Sequence, residues 1–230
     1  MVGACELIGA DVLAVVVGAG EAEPQLLCFT TSGSHPGAGH ATLAAAHVAF
    51  EHRAAGDDAF SFKLAKGGHR SVRRSPHGIA IDWPLMSYDM TGRGSEIAAA
   101  LGAEPIESFV APFGYVAVLA TAAEIARLAP DMARTAALDR GALIATAQGE
   151  SSDIVIRVFA PAEDLPEDPV CGTAHRIIAP YWAKRLGKAK LHSRQLSKRG
   201  GDLWCDVSGG TVTIAGQSVT ALEGILHLPD

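Results

Sequence analysis

A short pattern occurs twice in this chain, 133 residues apart, and each copy opens an apolar run of helical character. The first is Pro36-Gly37-Ala38-Gly39-His40-Ala41, followed by Thr42-Leu43-Ala44-Ala45-Ala46-His47-Val48-Ala49-Phe50. The second is Pro169-Val170-Cys171-Gly172-Thr173-Ala174, followed by His175-Arg176-Ile177-Ile178-Ala179-Pro180-Tyr181-Trp182. Both read Pro-x-x-Gly-x-Ala. Phe29 stands seven residues before Pro36 and Phe159 ten before Pro169, so each copy also has a strand leading into it. A glycine at a helix start lets a ligand approach the backbone, and the first-turn N–H groups have no partner inside the helix. Such an end favours an anion. Two of them in related contexts point to two similar lobes and one small anionic ligand, a carboxylate.

The bulk properties narrow the partners. A chain of 230 residues with 48% hydrophobic content builds a real core. Its net charge of −6 argues against nucleic acid. The basic runs at 70–74 and 198–199 are short, sit in strand-like stretches and read as solvated edges. Cys5, Cys28, Cys171 and Cys205 form no Cys-x-x-Cys pair and no disulfide framework, which fits a reducing, cytoplasmic setting. The apolar run 12–17 lacks a basic flank and is too short to span a bilayer, so no membrane is expected. There is no Walker or Rossmann glycine loop and no His-x-x-x-His spacing; neither cofactor nor metal is expected.

Strand-like segments fall at 12–17, 25–30, 59–64, 70–74 and 78–83, with a helix over 40–52 among them. Residues 84–94 read as a connection between lobes. Beyond it come helices at 96–101, 122–128 and 173–186, with Pro180 expected to kink or weaken the last. Strands are expected at 108–110, 115–120, 142–146, 154–159, 191–196, 203–207, 211–214 and 218–228. Helices and antiparallel-type strands mix without a regular βαβ alternation, so the class is α+β. The expected division is an N-terminal lobe at 1–84, completed by the strand near 218–230, and a C-terminal lobe at 95–217.

Several stretches together resemble one family. Gly39-His40-Ala41-Thr42-Leu43-Ala44-Ala45-Ala46-His47-Val48 is similar to the first signature of the PhzF-like (phenazine biosynthesis-like) isomerases. Glu167-Asp168-Pro169-Val170-Cys171-Gly172-Thr173-Ala174-His175, with Ala179-Pro180-Tyr181-Trp182 behind it, resembles the second. Gln195-Leu196-Ser197-Lys198-Arg199-Gly200-Gly201 and the stretch 219–226 resemble the family's C-terminal end. The resemblance covers nearly the whole chain. It implies the diaminopimelate-epimerase-like fold: two pseudo-symmetric lobes, each a curled, mostly antiparallel sheet around a central helix, with the site in the interlobe cleft. It also implies a homodimer.

The chain departs from the family pattern in four places. It begins roughly 30–40 residues short of the usual layout, about one strand and one helix. Asp11 stands where relatives carry a glutamate acid/base, with Glu6 on the preceding helix end. Ala38 replaces a frequent cysteine. Cys171-Gly172-Thr173 replaces Thr-Gly-Ser.

The resemblance implies proton movement on a small cyclic or amino-acid-derived carboxylate. A carboxyl group takes the proton and returns it elsewhere, with a pKa brought toward working pH by a semi-enclosed cleft. Asp11 is the candidate base; its alternative is a turn residue ahead of the first strand. It is one methylene shorter than glutamate, and a misplacement of about 1 Å can cost on the order of a hundredfold. His40, at a helix start that disfavours imidazolium, reads as a neutral donor or relay, or else as a cap facing solvent. Asp168 reads as a third catalytic group or a plain cap. Gly39, Gly172 and Thr173 are candidate substrate-binding residues through their N–H groups and the Thr173 hydroxyl.

Cys171 also resembles the second thiol of the epimerase and proline-racemase relatives, and a helix start lowers a thiol's pKa. Its partner position is Ala38, so the choice is a single-thiol racemase or a small buried filler. His47 and His52 read as structural or exposed, His175 as packing or support. Two functions stand side by side: a cofactor-independent isomerase or epimerase, and a catalytically impaired homologue that binds a small carboxylate.

Overall fold

The computed structural model describes residues 4–5, 8–35, 38–52 and 56–225. The chain divides into two units, Met1–Asp82 with Ala215–Asp230, and Trp83–Ile214. In the first, β1 (Leu13–Val17), β2 (Gln25–Thr30) and β3 (Gly33–His35) precede helix α1 (Gly39–Glu51). After it come β4 (Ala59–Leu64), β5 (His69–Ser75) and β6 (Gly78–Pro84). The strands lie in the order β1-β2-β4-β5-β6, with β3 folded back on β2.

The second unit opens with β7 (Asp89–Met90), α2 (Gly94–Leu101), β8 (Glu107–Val110), β9 (Gly114–Val118), α3 (Ala122–Arg127) and α4 (Met132–Ala136). It continues with β10 (Ala142–Gln148), β11 (Ile154–Phe159), a 3-10 turn at Pro161–Glu163 and α5 (Gly172–Leu186). β12 (Lys190–Gln195), β13 (Gly201–Ser208) and β14 (Thr211–Gly216) close it, in the order β14-β13-β12-β11-β10-β9-β8-β7.

The repeat in the sequence is a repeat in the strand register. β1 pairs antiparallel with β2 with Leu13 opposite Phe29, and β10 pairs antiparallel with β11 with Leu143 opposite Phe159, both partners 130 residues further on. The next pairing is parallel in each: Gln25 opposite Lys63, and Val155 opposite Arg194. Antiparallel pairings follow, β4 with β5 and β12 with β13. α1 and α5 occupy the same crossover, between the second strand and its parallel neighbour. Among the described residues antiparallel pairs dominate, parallel ones such as β2 with β4, β9 with β10 and β11 with β12 are interposed, and the class is α+β as expected.

The second unit buries both faces of its sheet. Val116, Val118, Ile144, Ile156 and Val158 point into a core with Ile177, Ile178 and Trp182 of α5. The alternate residues Tyr115, Ala117, Leu143, Ala145 and Val155 point into another with Ile97 and Leu101 of α2 and Ile125 of α3. A strand buried on both sides reads as a continuous apolar run, and Gly114–Val118 is buried at every position. In the first unit α1 buries Ala41, Ala45, Ala46, Ala49 and Phe50. The Phe50, Phe60 and Phe62 rings stack edge to face at 4.9 Å centroid spacings.

Helix ends follow local chemistry. Thr121 and Glu124 close a capping box on α3, and the Asp131 carboxylate caps α4. α5 stops at Gly187, whose φ of 67° is the left-handed conformation that a side chain resists. Pro180 does not interrupt α5, but it removes one bond of its ladder. It has no N–H for the Arg176 carbonyl, and that carbonyl accepts the Met86 N–H at 3.1 Å instead.

Three expectations change. Residues 84–94 are built into the second unit as β7 and the Met86 strap, with the Tyr88 ring 4.4 Å from that of Phe109. Lys198 and Arg199 sit in the loop between β12 and β13, not in a strand. No strand runs through 217–225. Val219, Leu222 and Ile225 there are 82–90% exposed, and their three-residue spacing cannot line one face of a two-residue pleat. The expected strand's last residues, and Glu6, lie outside the described residues.

Candidate active site

The start of α5 is held by side chains from the neighbouring strand. Asp168 donates its N–H to the Val158 carbonyl at 2.9 Å, and its Oδ1 accepts the Val170 N–H at 3.0 Å. Gln195, buried at the end of β12, accepts the Cys171 N–H on Oε1 at 2.8 Å and donates Nε2–H to the Asp168 carbonyl. The Ser197 hydroxyl donates to the Pro169 carbonyl at 2.7 Å and accepts the Gly200 N–H at 3.0 Å. Cys171 itself is the N-cap, with extended backbone and no side-chain cap. Gly172 follows as the first helical residue. A Cβ placed on it would meet nothing within 4 Å, so the space beside this helix start is open.

His175 is fully buried one turn in. Its Nδ1 lies 2.7 Å from the Cys171 carbonyl and its Nε2 lies 2.7 Å from the Ser193 hydroxyl. A carbonyl can only accept, so Nδ1 carries the proton and Nε2 accepts from Ser193. Burial pushes the imidazole down to about 4, and it is neutral at ordinary pH. The first unit uses the same device: buried Thr42 donates its hydroxyl to the Ala38 carbonyl at 2.9 Å, again four residues back.

Cys171 does not become a thiolate here. Burial is the largest cause, the neighbouring Asp168 carboxylate adds to it, and together they hold the thiol well above its ordinary value. The Ala174 and Thr173 N–H groups act on the sulfur in the opposite sense and do not prevail. The helix-start argument for a reactive thiolate therefore loses to desolvation, and the thiol keeps its proton.

In the first unit Gly39 is half-buried and His40 exposed in the first turn of α1. Asp11 is exposed two residues ahead of β1. Leu13, two residues on, pairs with Phe29 near the end of β2. The fold groups Asp168, Cys171, Gly172 and Thr173 at one helix start, and Gly39 with His40 at another. His47, expected to be structural or exposed, bonds Thr220 at 3.1 Å and approaches Glu51 at 3.3 Å, tying the C-terminal stretch to α1.

The roles of Gln195, Ser197 and Ser193 were not visible in sequence; the nearest signal was the Gln195–Gly201 stretch quoted for its resemblance. Arg157 braces the same region. Its guanidinium grips Glu167 at 2.7 and 3.0 Å and donates to the Leu128 carbonyl at 2.7 Å. Among the described residues no group of three or more His, Cys, Asp or Glu is placed to hold a metal ion, and no helix is long and apolar enough to cross a membrane.

A repeated sheet-and-helix plan in an α+β chain, with a glycine opening each crossover helix, defines the diaminopimelate-epimerase-like class. The comparisons with known proteins agree. A model of the PhzC-PhzF family, described as phenazine biosynthesis-like protein, matches residues 17–224. An uncharacterized isomerase of Pseudomonas aeruginosa is 38% identical over 215 residues, covering 94% of this chain and 82% of that protein. The crystal structure of a PhzF-family phenazine biosynthesis protein from Enterococcus faecalis superposes with a TM-score of 0.92 at 31% identity, covering 99% of this chain and 86% of that one. A predicted epimerase of Pseudomonas aeruginosa shares the fold, with a TM-score of 0.67 at 16% identity over 94% of this chain and 84% of that one. The chain belongs to the PhzC-PhzF, phenazine biosynthesis-like family. Its general function is that of an isomerase.

Proposed function

We propose that this chain is a cofactor-independent isomerase or epimerase that moves a proton on a small cyclic or amino-acid-derived carboxylate. The observation that carries the reading is the α5 start, where a Cβ placed on Gly172 would meet nothing within 4 Å while the segment before it is tied down bond by bond. Free N–H groups at a helix start are suited to a carboxylate. Gly172 and Thr173 receive the substrate carboxylate, with Gly39 as the matching helix-start glycine of the first unit. Asp11 takes the proton from carbon and returns it at another position. His40 donates to or relays from the substrate, and Asp168 accepts from a substrate hydroxyl or amine. The family's homodimeric state and a cytoplasmic location go with the reading.

The test is exchange in D₂O with dihydro-3-hydroxyanthranilate and a panel of small amino and hydroxy carboxylates, read by NMR and mass. Wild type should incorporate deuterium or yield isomerised product. Asp11→Asn should lose this by about a hundredfold or more while still binding. Unchanged uptake in Asp11→Asn removes Asp11 as the base, and binding without exchange in wild type overturns the catalytic reading. Light scattering checks the dimer.

A further inference from the structure

The least replaceable support of the α5 start is an amide, Gln195. Its two ends serve two different needs: Oε1 accepts the Cys171 N–H at 2.8 Å, and Nε2 donates to the Asp168 carbonyl. These groups flank the segment Asp168-Pro169-Val170-Cys171, so one side chain spans its entry and its exit. Of the ordinary side chains of this length only an amide offers a donor and an acceptor at once; a carboxylate lacks the donor and leucine lacks both. Gln195 is itself fixed as the last residue of β12, opposite Ile156 on one side and Gly201 on the other, and it is buried. The span it sets is the distance between the Asp168 carboxylate and the Gly172 N–H.

We propose that Gln195 is a positioning residue for substrate binding: its amide clamps residues 168–171 so that the Asp168 carboxylate and the Gly172 N–H meet one ligand in a fixed relation. The inference rests on the carboxylate-binding reading of that helix start. Gln195 touches no reacting atom and acts through the segment it holds. The clamp keeps its donor only while residue 195 carries a proton on the atom facing Asp168. A glutamate there loses the donor when ionised and regains it as an O–H when protonated, and burial against a carbonyl favours the protonated form.

The experiment compares wild type, Gln195→Leu and Gln195→Glu, with Thr146→Val as a control for loss of buried hydrogen bonds elsewhere in the unit. A readout that needs no substrate is the rate at which iodoacetamide labels Cys171, measured by peptide mass against Cys205, which is equally buried. Gln195→Leu should label at Cys171 at least tenfold faster than wild type, with Cys205 still protected. Gln195→Glu should behave like Gln195→Leu at pH 8 and label more slowly than Gln195→Leu at pH 5.5. With whichever carboxylate proves to be turned over, Gln195→Leu should raise KM tenfold or more and change kcat less than threefold. Thr146→Val should leave KM where it is.

Unchanged Cys171 labelling in Gln195→Leu, or equal exposure of Cys205, overturns the clamp. So does a fall in kcat at constant KM, or a Thr146→Val variant with the same KM defect. If no carboxylate in the panel is bound or turned over, the isomerase reading fails on its own account. The labelling still decides whether Gln195 holds the segment.

Discussion

Nδ1 of His175 lies 2.7 Å from the carbonyl oxygen of Cys171, four residues back along the chain. The bond pins the residue that caps α5 and fixes the imidazole as the neutral tautomer, with Nε2 turned to Ser193. The folded-state value near 4 lies below the ordinary 6.5, so the unfolded chain binds the extra proton between those limits. Stability is therefore full above about pH 6.5 and falls on acidification toward pH 4. The loss from this group reaches about 3 kcal/mol. Urea unfolding of wild type and His175→Gln at pH 7, 5.5 and 4 should show the difference between them shrinking as pH falls. A constant difference contradicts the assignment.

Gly172 has room for a methyl group and a helical conformation that alanine accepts. Gly172→Ala should fold normally, with a melting temperature equal to or slightly above wild type. The methyl would occupy the space a carboxylate needs, and affinity for the turned-over carboxylate should drop about tenfold, a change of about 1.4 kcal/mol. Calorimetric titration separates the two effects. Undiminished affinity would place the carboxylate elsewhere.

Cys171 is buried and protonated beside Asp168. Cys171→Ala should keep turnover within about tenfold, whereas loss of a catalytic acid or base commonly costs a hundredfold to ten-thousandfold. A deuterium-exchange rate reduced beyond that range in the variant would restore the single-thiol mechanism.

Thr146 Oγ1 donates to the Val155 carbonyl at 2.9 Å and accepts the Trp182 indole N–H at 3.0 Å. Thr146→Val keeps the shape and leaves the indole N–H without its partner. It should destabilise the protein by about 2 kcal/mol without altering substrate affinity. Denaturant unfolding and KM, measured on the same sample, check both halves of the statement.

Much of the chain plan can be read from local pattern. Ala59–Leu64 and Ile154–Phe159 have the expected limits because alternation or a dense apolar run, bounded by turn residues, marks them unambiguously. Met132–Ala136 escapes because five residues hold too little periodicity, although Asp131 is a legible cap. The tail at 217–225 misleads because β-prone residues are present at the wrong spacing. At the site, the glycines and Asp168 announce themselves by their place before a helix. Gln195 and Ser193 do not, because their partners lie 24 and 18 residues away and only the parallel pairing of β11 with β12 brings them near. Cys171 shows a different limit: the helix start is visible in sequence, but the depth at which the sulfur is buried is not.

The constant offset of 130 between Leu13–Phe29 and Leu143–Phe159 has a practical consequence. Each half supplies a matched reference for the other within one polypeptide. The Ala38–Thr42 bond and the Cys171–His175 bond hold the same carbonyl of the same turn, one through a hydroxyl that does not titrate and one through an imidazole that does. A pH series followed by hydrogen exchange at both helices therefore contains its own baseline. The Thr42 end should stay level while the His175 end loosens, and no mutant is required to see it.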